Sequence, residues 1–180
     1  MKTTPLLAVA IAACIAFCPA GAFAQKTAGQ HVDDSTLATS TKSALAGIDL
    51  GAAGAINVEV YKGTVQLAGF VDTDEDRAEA IEAARGVSGA TNVLDAMVVM
   101  SGKRSAGRTF DDSAIQTRLK AGLTERLGVD VAFEINTEIR KGEVILSGFV
   151  ADDQTRVQAG EIAGAVKGVG AVHNHLAIKH

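Results

Sequence analysis

The chain has 180 residues, a net charge of −4 and two cysteines. Hydrophobic residues make up 47 % and charged residues 21 %, the balance of a folded protein and not of a disordered one. The acidic excess argues against a dedicated nucleic-acid binder, which needs a basic surface. Aromatic residues, at 4 %, leave little for base stacking or aromatic cages.

The amino terminus reads as an address. Lys2 supplies a positive start, and Leu6 to Phe17 is an unbroken apolar run. That run is short of the roughly 20 residues a helix needs to cross a bilayer. Pro19 ends it, and Ala22-Phe23-Ala24 places small residues before a cut at Gln25. Residues 1–24 are therefore expected as a cleavable secretory signal peptide. A lipoprotein signal is the rival. Ile11-Ala12-Ala13-Cys14 follows a very short apolar run, and Ile15-Ala16-Phe17-Cys18 has bulky Phe17 where a small residue is usual. Both cysteines lie in this segment. Its removal takes away disulfides, thiolate catalysis and cysteine-based zinc sites together.

Residues 25–32 are expected as a mobile leader. Asp33-Asp34-Ser35 then reads as a helix start, because such side chains accept from free amides there. Leu37, Thr41, Ala44 and Leu45 follow at helical spacing. Ile56, Val58 and Val60 alternate with polar residues, Lys62-Gly63 makes a turn, and Val65, Leu67 and Gly69 alternate again. This predicts a β-hairpin with one buried face, its glycine at positive φ. Asp72-Thr73-Asp74 caps a second helix with the stripe Ala80, Ala83, Ala84, Val87, ended by Gly89. Val93, Asp95, Met97 and Val99 form a last strand. Residues 101–109, which include Lys103 and Arg104, are small, polar and basic and read as an exposed linker.

The same order then recurs. Asp111-Asp112-Ser113 opens a helix with Ile115, Leu119, Gly122 and Leu123. Ile135, Thr137 and Ile139 lead to Lys141-Gly142, then Val144, Leu146 and Gly148. A second helix carries Ala159, Ile162, Ala163 and Val166, ends at Gly168, and is followed by Val172, Asn174, Leu176 and Ile178. At one constant spacing, Gly69-Phe70-Val71 recurs as Gly148-Phe149-Val150, Arg77 as Arg156 and Ala80 as Ala159. The chain is thus a duplication, with units at 33–100 and 110–180. Each is expected to be a two-layer α+β unit ordered helix, strand, strand, helix, strand, with two helices on one face of a three-stranded sheet. Strands two and three of each can run parallel through the crossover helix.

These positions also form a family pattern. Gly142, Val144, Leu146, Gly148 and Val150, followed by Arg156, Ala159, Ala163, Val166, Gly168, Val169, Val172, Asn174 and Leu176, resemble a BON domain. The first copy matches at Gly63, Val65, Leu67, Gly69, Val71, Arg77, Ala80, Ala84, Val87, Gly89 and Val93. It departs at Asp95, where asparagine is usual, and at Ala90, where valine is usual. A signal peptide followed by two such units resembles dual-BON proteins of the periplasm. The resemblance implies an osmotic- or envelope-stress role through binding anionic phospholipid surfaces. It also leaves open chaperone-like contact with exported outer-membrane proteins. It implies no enzyme activity and no cofactor.

Candidate sites are few. The first unit has 4 basic and 11 acidic residues, the second 8 and 10. An anionic membrane therefore suits the second unit and the linker better. Arg118, Lys120 and Arg126 on its first helix, with Lys103 and Arg104, are the expected lipid-binding residues. In related lipoproteins that helix faces lipid, so the resemblance points the same way. Arg118 and Lys120 sit about 160° apart on a helix wheel, so they flank the core stripe and do not form one patch. Arg77 and Arg156 read as ion-pair partners of Asp74 and Asp153, one turn away. Phe70 and Phe149 read as packing residues at strand ends. His173 and His175 alternate on the last strand without an evident third ligand, so no metal site is expected. Neither a nucleophile elbow nor a phosphate loop is present.

Overall fold

The structure is a computed structural model describing residues 28–48, 56–100 and 106–180. The expected signal peptide with Cys14 and Cys18 lies outside the described residues, as do Lys103 and Arg104. The elements run α1 (Ala28–Ala46), β1 (Asn57–Tyr61), β2 (Thr64–Val71), α2 (Asp74–Arg85) and β3 (Asn92–Val99) in the first unit. The second has α3 (Ala106–Leu127), α4 (Val129–Glu134), β4 (Ile135–Arg140), β5 (Glu143–Val150), α5 (Asp153–Gly164), β6 (Ala171–Asn174) and β7 (Ala177–Ile178). In both units the hairpin is antiparallel and the strand after the crossover helix pairs parallel with its second strand.

The hairpin turn explains the acidic pairs. α1 begins at Ala28 and α3 at Ala106, ahead of Asp33 and Asp111. Part of the expected leader and part of the expected linker are therefore helix, and the aspartates are not helix caps. Asp34 instead accepts from the amides of Lys62 and Gly63, both at 2.9 Å. Asp112 accepts from Lys141 and Gly142 at 3.0 and 2.9 Å. All four turn residues have positive φ, 49° and 77° in the first turn and 54° and 79° in the second. This is the two-residue turn whose twist suits a hairpin. A lysine is strained there, and the buried carboxylate offsets that strain by satisfying both amides.

The crossover helices are capped as their sequences indicate. Thr73 and Asp76 form a reciprocal capping box at 3.1 and 3.2 Å. Asp152 accepts from the Thr155 amide at 2.7 Å, and that backbone hydrogen bond holds its carboxyl below the usual range. Both helices stop earlier than expected, at Arg85 and Gly164. Gly89 and Gly168 take positive φ in the loops that follow.

On the helix-covered face of the first sheet, Val65, Leu67 and Val71 pack with Leu37, Leu45, Ala80 and Ala84. Their counterparts Val144, Leu146 and Val150 pack with Ile115, Leu119, Leu123, Ala159 and Ala163. The hairpins, however, are not buried on one face only. Every residue of β2 and β5 after the first is buried. Ala68, Phe70 and Ala96 of the first sheet form a buried cluster with Ile145 of the second. The two units stack sheet on sheet, giving a helix, sheet, sheet, helix order.

The stacking is close to two-fold. Asn57 donates to Glu138 at 2.8 Å, and the equivalent Asn136 donates to Glu59 at 2.6 Å. Arg140, almost completely buried, pairs with Asp72 at 3.2 Å, and Tyr61 meets Phe149 at 5.5 Å between ring centroids. Gln66 breaks the symmetry. Its Oε1 accepts from the Gly148 amide and its Nε2 donates to the His175 carbonyl, both at 2.6 Å. The continuous last strand expected through Leu176 is accordingly interrupted between β6 and β7. A side chain from the other unit there occupies backbone groups that a ladder would use.

Candidate functional site

α3 carries three of the five expected lipid-binding residues, Arg118, Lys120 and Arg126. Ile115, Leu119 and Leu123 are buried along one stripe, while Arg118, Lys120 and Arg126 are exposed. The structure sends Arg118 and Lys120 to separate surfaces. Arg118 lines a cleft of about 410 Å³ with Asp111, Asp112, Lys141 and Lys167. Lys120 lines a cavity of about 280 Å³ with Thr124, Val129, Ala132 and Phe133. Arg126 lies in the last turn of α3, where a cation complements the negative helix end. No single basic patch joins the three.

The Lys120 surface is shaped by α4, a helix the alternation pattern did not show. Gly128, at φ 88°, turns the chain out of α3. Val131 and Ala132 then pack against the core, leaving Val129 and Phe133 exposed one turn apart. Phe133 is 84 % exposed and Val129 54 %, the largest exposures among large hydrophobic residues described. α4 is firmly seated. A Cβ on Gly148 would lie 2.1 Å from the Glu134 carbonyl oxygen, so only glycine lets β5 pass the end of this helix. Glu134 also pairs with Lys179.

The remaining sequence candidates are placed plainly. Arg77 meets Asp95 at 2.6 Å and Asp74 at 3.8 Å, and its hydrogen bond to Asp95 raises its pKa further. Arg156 pairs with Asp153. Asn174, the counterpart of Asp95, donates instead to the Arg156 carbonyl at 2.8 Å. Phe70 and Phe149 both lie between the units. His173 and His175 stack with ring centroids 6.5 Å apart, and His173 contacts Glu143 at 2.9 Å. Burial first, and then the nearby His173, push the His175 pKa down. Among the described residues no group of three histidine, cysteine or acidic side chains is placed to hold a metal ion.

Sequence reasoning missed Val129 and Phe133. Their signal was a mismatch between the copies: Val129-Asp130-Val131-Ala132-Phe133 stands where the first copy has the small residues Gly51 to Ala55.

Comparison with known proteins fits the duplicated architecture. The BON domain matches twice, at residues 33–101 and 111–180. Osmotically-inducible protein Y of Escherichia coli is 33 % identical over 84 % of this chain and 75 % of its own length. Outer membrane lipoprotein DolP of Haemophilus influenzae is 30 % identical over 80 % of this chain and 74 % of its own. The C-terminal domain of CdsD, the structural protein of the Type III secretion system of Chlamydia trachomatis, aligns at a TM-score of 0.33. It shows 13 % identity over 82 % of this chain and 67 % of that one.

Proposed function

The chain belongs to the BON domain family, with one copy in each half, and from that premise we propose that it is an exported cell-envelope protein of the osmotic- or envelope-stress class whose second unit rests on anionic phospholipid surfaces. The relatives' names, an osmotically-inducible protein and an outer membrane lipoprotein, support the envelope setting. So does the apolar run Leu6 to Phe17 with its small-residue cut before Gln25. Among the described residues no helix is long and apolar enough to cross a membrane.

The observation that carries the reading is Phe133. A phenylalanine held 84 % exposed on a seated helix leaves apolar area uncovered by the described residues. Val129 extends the surface, and Lys120 beside it supplies a cation for a headgroup. Lipid contact thus falls on the face made by the end of α3 and by α4, with Lys120 as its basic member. Arg118 lies on the other flank.

Co-sedimentation of the mature protein with vesicles tests this. Pelleting is expected with phosphatidylglycerol-containing vesicles and not with pure phosphatidylcholine, weakening as salt is raised. Phe133→Ser is expected to lower the apparent affinity about tenfold, the scale of one aromatic side chain leaving an apolar phase. Pelleting with neither vesicle type overturns the reading. If the protein then suppressed aggregation of an unfolded outer-membrane protein without lipid, the apolar face would belong to a chaperone.

A further inference from the structure

We propose that the cleft bounded by α3, the β4–β5 turn and the loop after α5 is a binding site for a phosphate-bearing anion. The two units build the same concavity from the same elements. In the first it encloses about 480 Å³ and is lined by Asp34, Ser40, Lys62, Gly63, Ser88 and Gly89. In the second it encloses about 410 Å³, and Arg118 and Lys167 stand where the first has Ser40 and Ser88. Three cations, Arg118, Lys141 and Lys167, therefore converge on one small cleft.

Three cations against the two carboxylates Asp111 and Asp112 leave the lining a net positive charge. Asp112 is buried, with both carboxylate oxygens on the turn amides of Lys141 and Gly142. It thereby fixes the turn that positions Lys141. Asp111 is exposed beside it. In the first cleft the turn lysine is the one basic residue of the lining, and Lys62 there donates to the His180 carbonyl at 2.7 Å and lies 5.4 Å from the Tyr61 ring centre. A planar guanidinium beside two ammonium groups suits an anion with several oxygens and more than one charge. A phosphate group has that chemistry, whether on a soluble solute or on a lipid headgroup. The site stands apart from the Lys120–Phe133 face, because Arg118 and Lys120 lie on opposite flanks of α3.

The test uses the full mature chain and amide NMR, with pyrophosphate as the soluble probe. Saturable shifts are expected at Gly142 and Gly168 and not at Gly63 and Gly89, their counterparts in the first cleft. The double variant Arg118→Ser/Lys167→Ser carries the residues the first unit tolerates at the same places. It is expected to keep the melting temperature and to bind pyrophosphate roughly tenfold more weakly or worse. Equal shifts in both clefts, or unchanged affinity in the double variant, overturn the proposal. A second arm presents phosphatidylglycerol vesicles to a Phe133→Ser background. Perturbation of Gly142 and Gly168 by vesicles alone, dependent on Arg118 and Lys167, assigns the phosphate to a headgroup. Perturbation by pyrophosphate assigns it to a soluble solute, and no perturbation in either arm overturns the site.

Discussion

The helix-covered sides of the two sheets are near copies, whereas the sides that meet each other are not. Toward the helices, Val65, Leu67, Val71, Ala80 and Ala84 recur unchanged as Val144, Leu146, Val150, Ala159 and Ala163. Toward the other sheet, Tyr61 is replaced in the second copy by Arg140, Gln66 by Ile145 and Asp72 by Ala151. A packed core tolerates little change in volume, so each unit keeps its own. The sheet–sheet face is shared by two sequences that can change in complementary ways. Reciprocal bonds such as Asn57–Glu138 and Asn136–Glu59 preserve the two-fold, while the bonds of Gln66 and the Arg140–Asp72 pair have no reciprocal, since Ile145, Tyr61 and Ala151 stand at the equivalent positions.

Three substitutions sharpen that contrast, the largest effect first. Gly148→Ala drives a methyl group into the Glu134 carbonyl at a residue with φ 121°. It is expected to cost about 3 kcal/mol, read as a lowered melting temperature. Gln66→Leu keeps the volume but leaves the Gly148 amide and the His175 carbonyl without the side chain that now holds them. A cost of about 2 kcal/mol is expected, with faster hydrogen exchange at Gly148. If exchange there is unchanged, the interface is not bound through this residue.

The smallest effect is a pH dependence. His175 has its folded pKa lowered by burial and by His173, with Arg77 adding to the shift and Asp95 opposing it. A depressed histidine resists the proton in the folded state that the unfolded chain accepts. Its stability contribution is therefore full above the ordinary histidine pKa of about 6.5 and is lost as the pH falls below it. The melting temperature is expected to drop on acidification, and His175→Gln is expected to flatten part of that drop. An identical pH profile in the variant removes His175 from the account.

Much of the unit was legible in the residues. Alternation around Lys62-Gly63 and Lys141-Gly142 located both hairpins, because period two is forced by the pleat. The Arg156–Asp153 pair was legible as well, since its spacing is local. Asp34 and Asp112 misled because a carboxylate that suits a helix start suits a hairpin turn equally. Their partners lie far along the chain. β2 read as half-buried because Val65, Leu67 and Gly69 alternate, with polar Gln66 between the first two. Burying that amide needs two backbone partners from the other unit. The lysine-bearing helix was visible, yet not the surfaces that Arg118 and Lys120 serve, since those depend on α4 and on the loop after α5.

Local pattern determined the duplication, the order of strands and helices in each copy and the inward-facing apolar residues, because backbone geometry imposes those periods on any chain that buries one side. The mutual burial of the two sheets, the break at His175 and the exposure of Phe133 were decided only in three dimensions. Each depends on where groups distant in the chain come to rest, and a buried polar atom or an uncovered ring is recognisable only once its neighbours are in place.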